Sequence, residues 1–272
     1  MTATAVRTAT AVPGGPSRLR RIGALAGAET RLLLRNRTAV VNSVLSPLLL
    51  VALVPLFGSG DAPLGQTLLV SATAFTLVFL TYYNLVVTYV ARREALVLQR
   101  MRTGELTDGE VLAATAVPTL LVTAVQIAVV AVGVVVLGEW RAPVDPVLPV
   151  LAVLLGAVLM VVLATLSSVW TRTPESAQVT TLPVVLGATA LSGVFFPLVA
   201  LPEALATGAR LLPLTPVVEL VQLGLTGRTW QGEAVAGAEL WWAALVPLAV
   251  AAAWVVLAGA ASLRWFRWAP RR

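Results

Sequence analysis

Residues 92–108 read RREALVLQRMRTGELTD, and this stretch decides the fold. It gathers four of the nineteen arginines into seventeen residues, with long apolar segments on both sides. A short charged element between such segments marks a turn at a membrane surface. The rest of the chain supports that. It is 58% hydrophobic and 12% charged, with a mean hydropathy of +0.89. Soluble domains carry about twice that charge. Apolar runs of about 20 residues recur, the length an α-helix needs to cross a bilayer. Backbone groups in lipid must be satisfied internally, so the spans are helices. The runs are continuous and lack period-two alternation, which argues against a β-barrel. The expected class is an all-α integral membrane protein.

Six spans are expected in a transmembrane domain over 38–265. They cover about 39–57, 66–90, 111–137, 147–170, 177–199 and 241–263. The first contains Pro47 and Pro55, tolerated where neighbours re-satisfy the freed carbonyls. Residues 200–230 divide at Pro213 and Pro216 into two apolar pieces. Each is too short to span, and together they read as a partly re-entrant outer segment. Residues 1–17 are small and polar and lack a signal-peptide core, so they read as a disordered tail. Residues 18–37, RLRRIGALAGAETRLLLRNR, read as an interfacial helix. At about 100° per residue, Arg20, Arg21, Arg31 and Arg35 share one sector, and Ile22, Leu25, Leu32 and Leu33 another. Residues 266–272 form a basic tail.

Arginine placement sets the orientation. Sixteen of the nineteen fall on one side of this span pattern: seven before the first span, Arg92, Arg93, Arg100 and Arg102 after the second, Arg172 after the fourth, and four in the tail. Only Arg141, Arg210 and Arg228 fall on the other. By the positive-inside rule, both termini and the 92–108 loop are expected in the cytoplasm. All the basic residues are Arg, and the chain is rich in Ala, Val and Leu, as in a GC-rich bacterial genome. The expected location is therefore a bacterial cytoplasmic membrane. The charges flank spans, so no nucleic-acid partner is expected.

The missing residue types narrow the chemistry. There is no Cys and no His. Disulfides, thiol nucleophiles, imidazole bases and most transition-metal sites are thereby excluded. No Lys is present to complete a Walker A motif, so the chain is not its own P-loop ATPase. No paired intramembrane carboxylates offer hydrolytic catalysis. No catalytic, metal or cofactor site is expected. The spans as drawn hold no Asp, Glu or Arg, which disfavours proton coupling. Glu219 is the acid placed nearest membrane depth.

Two spans are polar for their setting. The second carries Thr73, Thr76, Thr81, Tyr82, Tyr83, Asn84, Thr88 and Tyr89. At helical spacing Thr81, Asn84 and Thr88 share a face. The fifth carries Thr180, Thr181, Thr189 and Ser192, followed by Phe195 and Phe196. One reading is a translocation path for an amphiphilic cargo, built on Thr76, Tyr83, Asn84, Thr88, Thr181, Thr189, Phe195 and Phe196. The other is ordinary helix packing, in which Ser, Thr and Gly are common. Both stay open.

Three motifs carry a resemblance. Glu94, Leu98, Arg100, Met101 and Arg102, followed by Thr103-Gly104-Glu105-Leu106-Thr107, are similar to the E-x-x-x-L-x-R-L-R helix and turn of ABC transporter permeases of the type-2 exporter class. That family often has Gly where Leu96 stands and Pro near Glu105. SGVFFPLVALP at 192–202 and LLPLTPVVEL at 211–220 resemble its later segments. So does Glu29 to Arg35-Asn36-Arg37 before the Pro47 span. The match is most like bacterial drug or natural-product exporters.

The resemblance implies two permease subunits, in a homodimer or heterodimer, above two ABC ATPase subunits. ATP and Mg2+ would be held by the ATPases and no cofactor by this chain. The 92–104 helix would be the coupling helix docked in a groove of the ATPase. Leu98 and Met101 would give apolar contact, Arg100 and Arg102 would meet carboxylates or carbonyls, and Glu94 would anchor the elbow. ATP-driven closure would open a path between subunits, lined by the second and fifth spans, and export a lipophilic or amphiphilic molecule. An ATPase-independent secondary transporter or channel is the alternative.

Overall fold

The computed structural model describes residues 63–103, 107–194 and 198–269, with isolated helical positions before them. The expected tail 1–17 lies outside the described residues. So do the interfacial helix 18–37 and the first span 39–57, apart from those isolated positions, and Phe195 and Phe196. All the described elements are helical, and a lone bridge joins Arg228 and Ala234.

Four described helices are long and apolar enough to cross a bilayer: α1 (Leu64–Glu94), α3 (Asp108–Val136), α4 (Val147–Trp170) and α8 (Ala238–Trp265). The short α2 (Val97–Arg102) follows α1. Between α4 and α8 lie α5 (Ala177–Leu191), α6 (Glu203–Arg210) and α7 (Thr215–Thr226). Counting the bent pair α6–α7 as one span gives five. The described residues therefore do not reach the expected six. The fifth expected span, 177–199, is a helix of only 15 residues. At 1.5 Å per residue it reaches about 22 Å, against about 30 Å of hydrocarbon. It ends at Ser192 and at Gly193, whose φ of +85° leaves the helical region.

α1 is the internal helix. In its most apolar stretch 78% of residues are buried within the chain, against 17% for α3. Its core residues include Phe75, Leu77, Tyr82, Leu85, Tyr89 and Val90. α1 has 31 residues, so at 1.5 Å each it is about 46 Å long and outruns the hydrocarbon. Its last turn carries Arg92, Arg93 and Glu94. From Thr76 to Tyr83 it widens into a π segment, and Thr81 Oγ1 reaches the Thr76 carbonyl five residues back at 3.4 Å. Such segments are rare and are frequent at functional sites.

α4 is the hub, packed against α1, α7 and α8. Its Gly156 sits at the crossing. A Cβ there would come 2.8 Å from both Leu77 Cδ1 and Val217 Cγ1. Gly224 of α7 is tighter still, since its Cβ would meet Pro149 Cδ at 2.4 Å and Leu148 Cβ at 2.9 Å. Small residues allow this close backbone approach, the main source of helix association in lipid.

Candidate functional site

The arginine-rich ends of the helices assemble into one elbow. α1 closes at Ala95 and Leu96. Leu96 adopts φ +58°, ψ 14°, the only non-glycine residue with positive φ among the described residues. This left-handed position ends helices and normally takes Gly. The Leu96 N–H donates to the Arg93 carbonyl at 3.1 Å, and the Arg100 N–H donates to the Leu96 carbonyl at 3.1 Å. The chain thus leaves α1 and re-enters a helix within two residues.

The start of α3 is fixed by its own cap. The Thr107 N–H donates to Glu110 Oε2 at 2.7 Å, and the Thr107 side chain accepts the Glu110 N–H, a complete capping box for α3. Asp108 and Glu110 place negative charge at the positive end of that helix.

Within α2, Leu98 is fully buried in the chain. It seats the short helix on the protein's own body. The expected apolar contact from Leu98 to a partner is therefore not available on the outer surface. Met101 is half-buried, and Glu94, Leu96, Arg100 and Arg102 are exposed. Arg102 already has two neighbours. Its Nε donates to Asp108 Oδ1 at 3.0 Å, and its guanidinium carbon lies 5.2 Å from the Trp268 ring centre. Arg100 is left as the outward cation of the segment.

Arg93 is the residue that the sequence reading did not single out. It is 1% exposed. Its Nη1 donates to the Ser168 carbonyl at 2.7 Å, and Nη2 donates to the carbonyls of Thr171, at 2.5 Å, and Arg172, at 3.5 Å. These carbonyls close the end of α4. Helix C-termini expose unpaired carbonyls and a partial negative charge, so a guanidinium there is doubly favoured. The Arg-Arg pair was the signal, and only the packing of α4 reveals which of the two turns inward.

The expected path residues divide. Thr76 is fully buried and Thr181 is 1% exposed, with Thr181 Oγ1 donating to the Ala177 carbonyl at 2.7 Å. Both lie in the interior. Tyr83, Asn84 and Thr88 are half-buried along one side of α1, and Thr189 is half-buried on α5. α5 packs against the π segment, so the second and fifth expected spans are neighbours. Thr81 does not share the Asn84–Thr88 face. It is fully buried and hydrogen bonds Thr123 Oγ1 at 2.8 Å. The π widening changes the helical phase between Thr81 and Asn84, which a constant 3.6-residue period does not anticipate.

Away from the elbow, α6 and α7 meet at 94°. Arg210 forks onto Glu219, with Nη2 to Oε1 at 2.9 Å and Nε to Oε2 at 3.3 Å. Glu219 is 9% exposed. The Trp230 ring centre lies 4.8 Å from the Arg210 guanidinium carbon. Trp254 Nε1 of α8 donates to the Leu211 carbonyl at 2.7 Å, tying the bend to the bundle.

No group of three or more metal-ligating His, Cys, Asp or Glu residues occurs among the described residues. Long apolar helices joined by a charged elbow and a braced bend fit a multi-pass membrane protein. The chain belongs to the ABC-2 type transporter family, whose profile matches residues 20–225. The match covers α1 to α7 and stops before α8. No match was found among the curated proteins.

Proposed function

We propose that the chain is the permease subunit of an ATP-driven exporter and that α2 is its coupling helix. The observation that carries this is α2 itself. It is set off from α1 by a left-handed Leu96, seated by the buried Leu98, and followed by a complete capping box. A loop that only sets topology needs none of these devices. An element that must transmit force needs all of them, because slack at either end would absorb the stroke. Arg93 extends the linkage to the end of α4. A displacement of α2 therefore moves α1 and α4 together.

In this reading both termini and α2 lie on the cytoplasmic side of a bacterial membrane, and residues 39–57 supply a sixth span. The family associates with an ABC ATPase, and that partner binds ATP and Mg2+. Met101 and Arg100 make the outward contacts. Two permease subunits, alike or different, face each other along the half-buried side of α1. Tyr83, Asn84 and Thr88 there offer hydroxyls, an amide and a ring to a lipophilic or amphiphilic cargo. Phe195 and Phe196 belong to the same proposed path.

The test is co-purification with the ATPase from native membranes, followed by ATPase and transport assays. Met101→Asp with Arg100→Glu changes one half-buried and one exposed side chain of α2 and leaves the buried Leu98 in place. The variant should insert normally, lose the ATPase and export nothing. Leu98→Asp is the poorer probe, since it buries a charge and disrupts folding. Export that persists unchanged in the Met101/Arg100 variant, or activity of the purified chain without ATP, refutes the docking role and favours a secondary transporter or channel.

A further inference from the structure

We propose that the cavity between the end of α4 and the arginine-bearing end of α8 binds the phosphate of an anionic phospholipid headgroup. The cavity measures about 540 Å³ and is lined by Val169, Trp170, Arg264, Trp265, Phe266 and Arg267. This lies within the roughly 300–1,000 Å³ of small-molecule sites. α8 ends at Trp265, and Phe266 turns to φ −60°, ψ 130°. That break lets Arg264, in the last helical turn, and Arg267, in the extended tail, line the same space.

The charge is available. Neither Arg264 nor Arg267 has a carboxylate partner among the described residues. Two guanidiniums offer forked N–H pairs that match phosphate oxygens. The walls identify the source of the phosphate. Trp170 is 56% exposed and Trp265 51%, and both stand at the ends of apolar spans. Indole rings at that level mark the headgroup layer of a bilayer. Val169 and Phe266 complete the lining with apolar side chains. A cation pair beside apolar side chains, between two tryptophans at span ends, fits a headgroup whose acyl chains continue along the helices. Basic pockets between helix ends hold anionic headgroups in this manner. A zwitterionic choline headgroup would bring a second cation toward the arginines and fits less well.

The site is linked to the elbow. The Phe266 ring meets Trp268 edge-on, with centroids 4.9 Å apart, and Trp268 lies against Arg102 of α2. A bound headgroup is thus linked to the proposed coupling helix through Phe266 and Trp268. The leaflet assignment rests on the topology proposed above, whereas binding does not. A reporter fused after Arg272 that is active outside the cell moves the site to the other leaflet without removing it.

The experiment uses the full chain in nanodiscs and counts retained lipid by native mass spectrometry. Phosphatidylglycerol should be retained in preference to phosphatidylcholine. Each interfacial arginine contributes about fivefold, so Arg264→Gln with Arg267→Gln should weaken retention about 30-fold. Arg264→Lys with Arg267→Lys should keep only part of it, since two ammoniums hold the charge without the fork. Trp170→Ala, which leaves both charges, should lower retention severalfold and stands in if the Gln variant does not fold. Equal retention of the two lipids, or phosphatidylglycerol retention unchanged in the Gln or Trp170 variants, overturns the proposal. Displacement by millimolar inorganic phosphate assigns the cavity to a soluble anion and overturns the lipid source.

Discussion

The two ends of α4 are closed by side chains of opposite charge. At the start, Asp145 Oδ1 accepts the N–H groups of Val147, at 2.8 Å, and Leu148, at 3.1 Å. At the finish, the Arg93 guanidinium covers the carbonyls of Ser168, Thr171 and Arg172. Each charge opposes the helix dipole. The difference lies in burial and connection. Asp145 is half-exposed, and its second oxygen accepts Trp241 Nε1 of α8 at 3.0 Å. Its hold stays at the surface, between two helix starts. Arg93 is buried and three residues from Leu96, where α1 turns into α2. One end is anchored to a neighbour, and the other is joined to the element proposed to move.

Arg93→Ala should have the largest effect on stability. Hydrogen bonds to a charged group contribute about 1.5–3 kcal/mol each, and removal also strands buried carbonyls. The expected cost is about 3 kcal/mol, read as a lower unfolding midpoint in detergent. Arg93→Lys should recover only part, because one ammonium does not reproduce the fork. Asp145→Ala should cost about 1 kcal/mol, the ordinary loss of a helix-start acceptor. If the two substitutions cost the same, the ends are equivalent and Arg93 has no special place in the linkage.

The Arg210–Glu219 pair gives the next largest effect. Glu219→Gln leaves the Arg210 cation without its carboxylate in a mostly buried setting. Breaking one half of a buried pair costs about 3–5 kcal/mol. Arg210 is partly exposed, so about 2 kcal/mol is expected. Replacing both residues with Met should hurt less than either single change. A double variant worse than both singles would show that the pair stabilises the bend in its own right.

Membrane class, the charged turn and the arginine asymmetry were legible in the sequence because they depend on composition and spacing. The contacts of Arg93 with the end of α4 and of Arg102 with Asp108 were not legible there, because they depend on how the helix ends pack. What spacing missed had a local physical cause. The π segment shifted the phase at Thr81. Leu98 has the same apolar character whether it faces its own chain or a partner, and only packing decides. Arg92 and Arg93 are identical in type, and the end of α4 selects one. The split of 200–230 was visible in Pro213 and Pro216, but the Arg210–Glu219 fork required the 94° bend to be known.

Leu96 offers a change of the opposite sign. The sequence departs there from the Gly often found in similar permeases, and the structure explains the preference, since φ is +58°. A side chain in that region costs about 1–2 kcal/mol relative to glycine. Leu96→Gly should therefore stabilise the α1–α2 junction by about 1 kcal/mol, less the greater freedom of glycine in the unfolded chain. A lowered midpoint would mean that the exposed Leu96 side chain contributes contacts that outweigh its backbone strain.

The smallest effect on stability is expected at Trp268, and it separates holding from transmitting. Its ring lies against Arg102, which already pairs with Asp108 at the surface, where the side chains are 53% and 42% exposed. An exposed cation–π contact contributes about 0.5–1 kcal/mol, and an exposed ion pair about the same or less. Trp268→Ala should scarcely move the unfolding midpoint. If α2 is the coupling helix, its terminal arginine must keep one position while the partner pushes. Losing the ring frees Arg102 on one side. ATP hydrolysed per molecule transported should then rise, with the amount of inserted protein unchanged. Trp268→Phe keeps a ring face and should restore much of the ratio. Stability and ratio both unchanged in Trp268→Ala would leave the tail outside the linkage, and the transmission of force to Leu96, Leu98 and Arg93 alone.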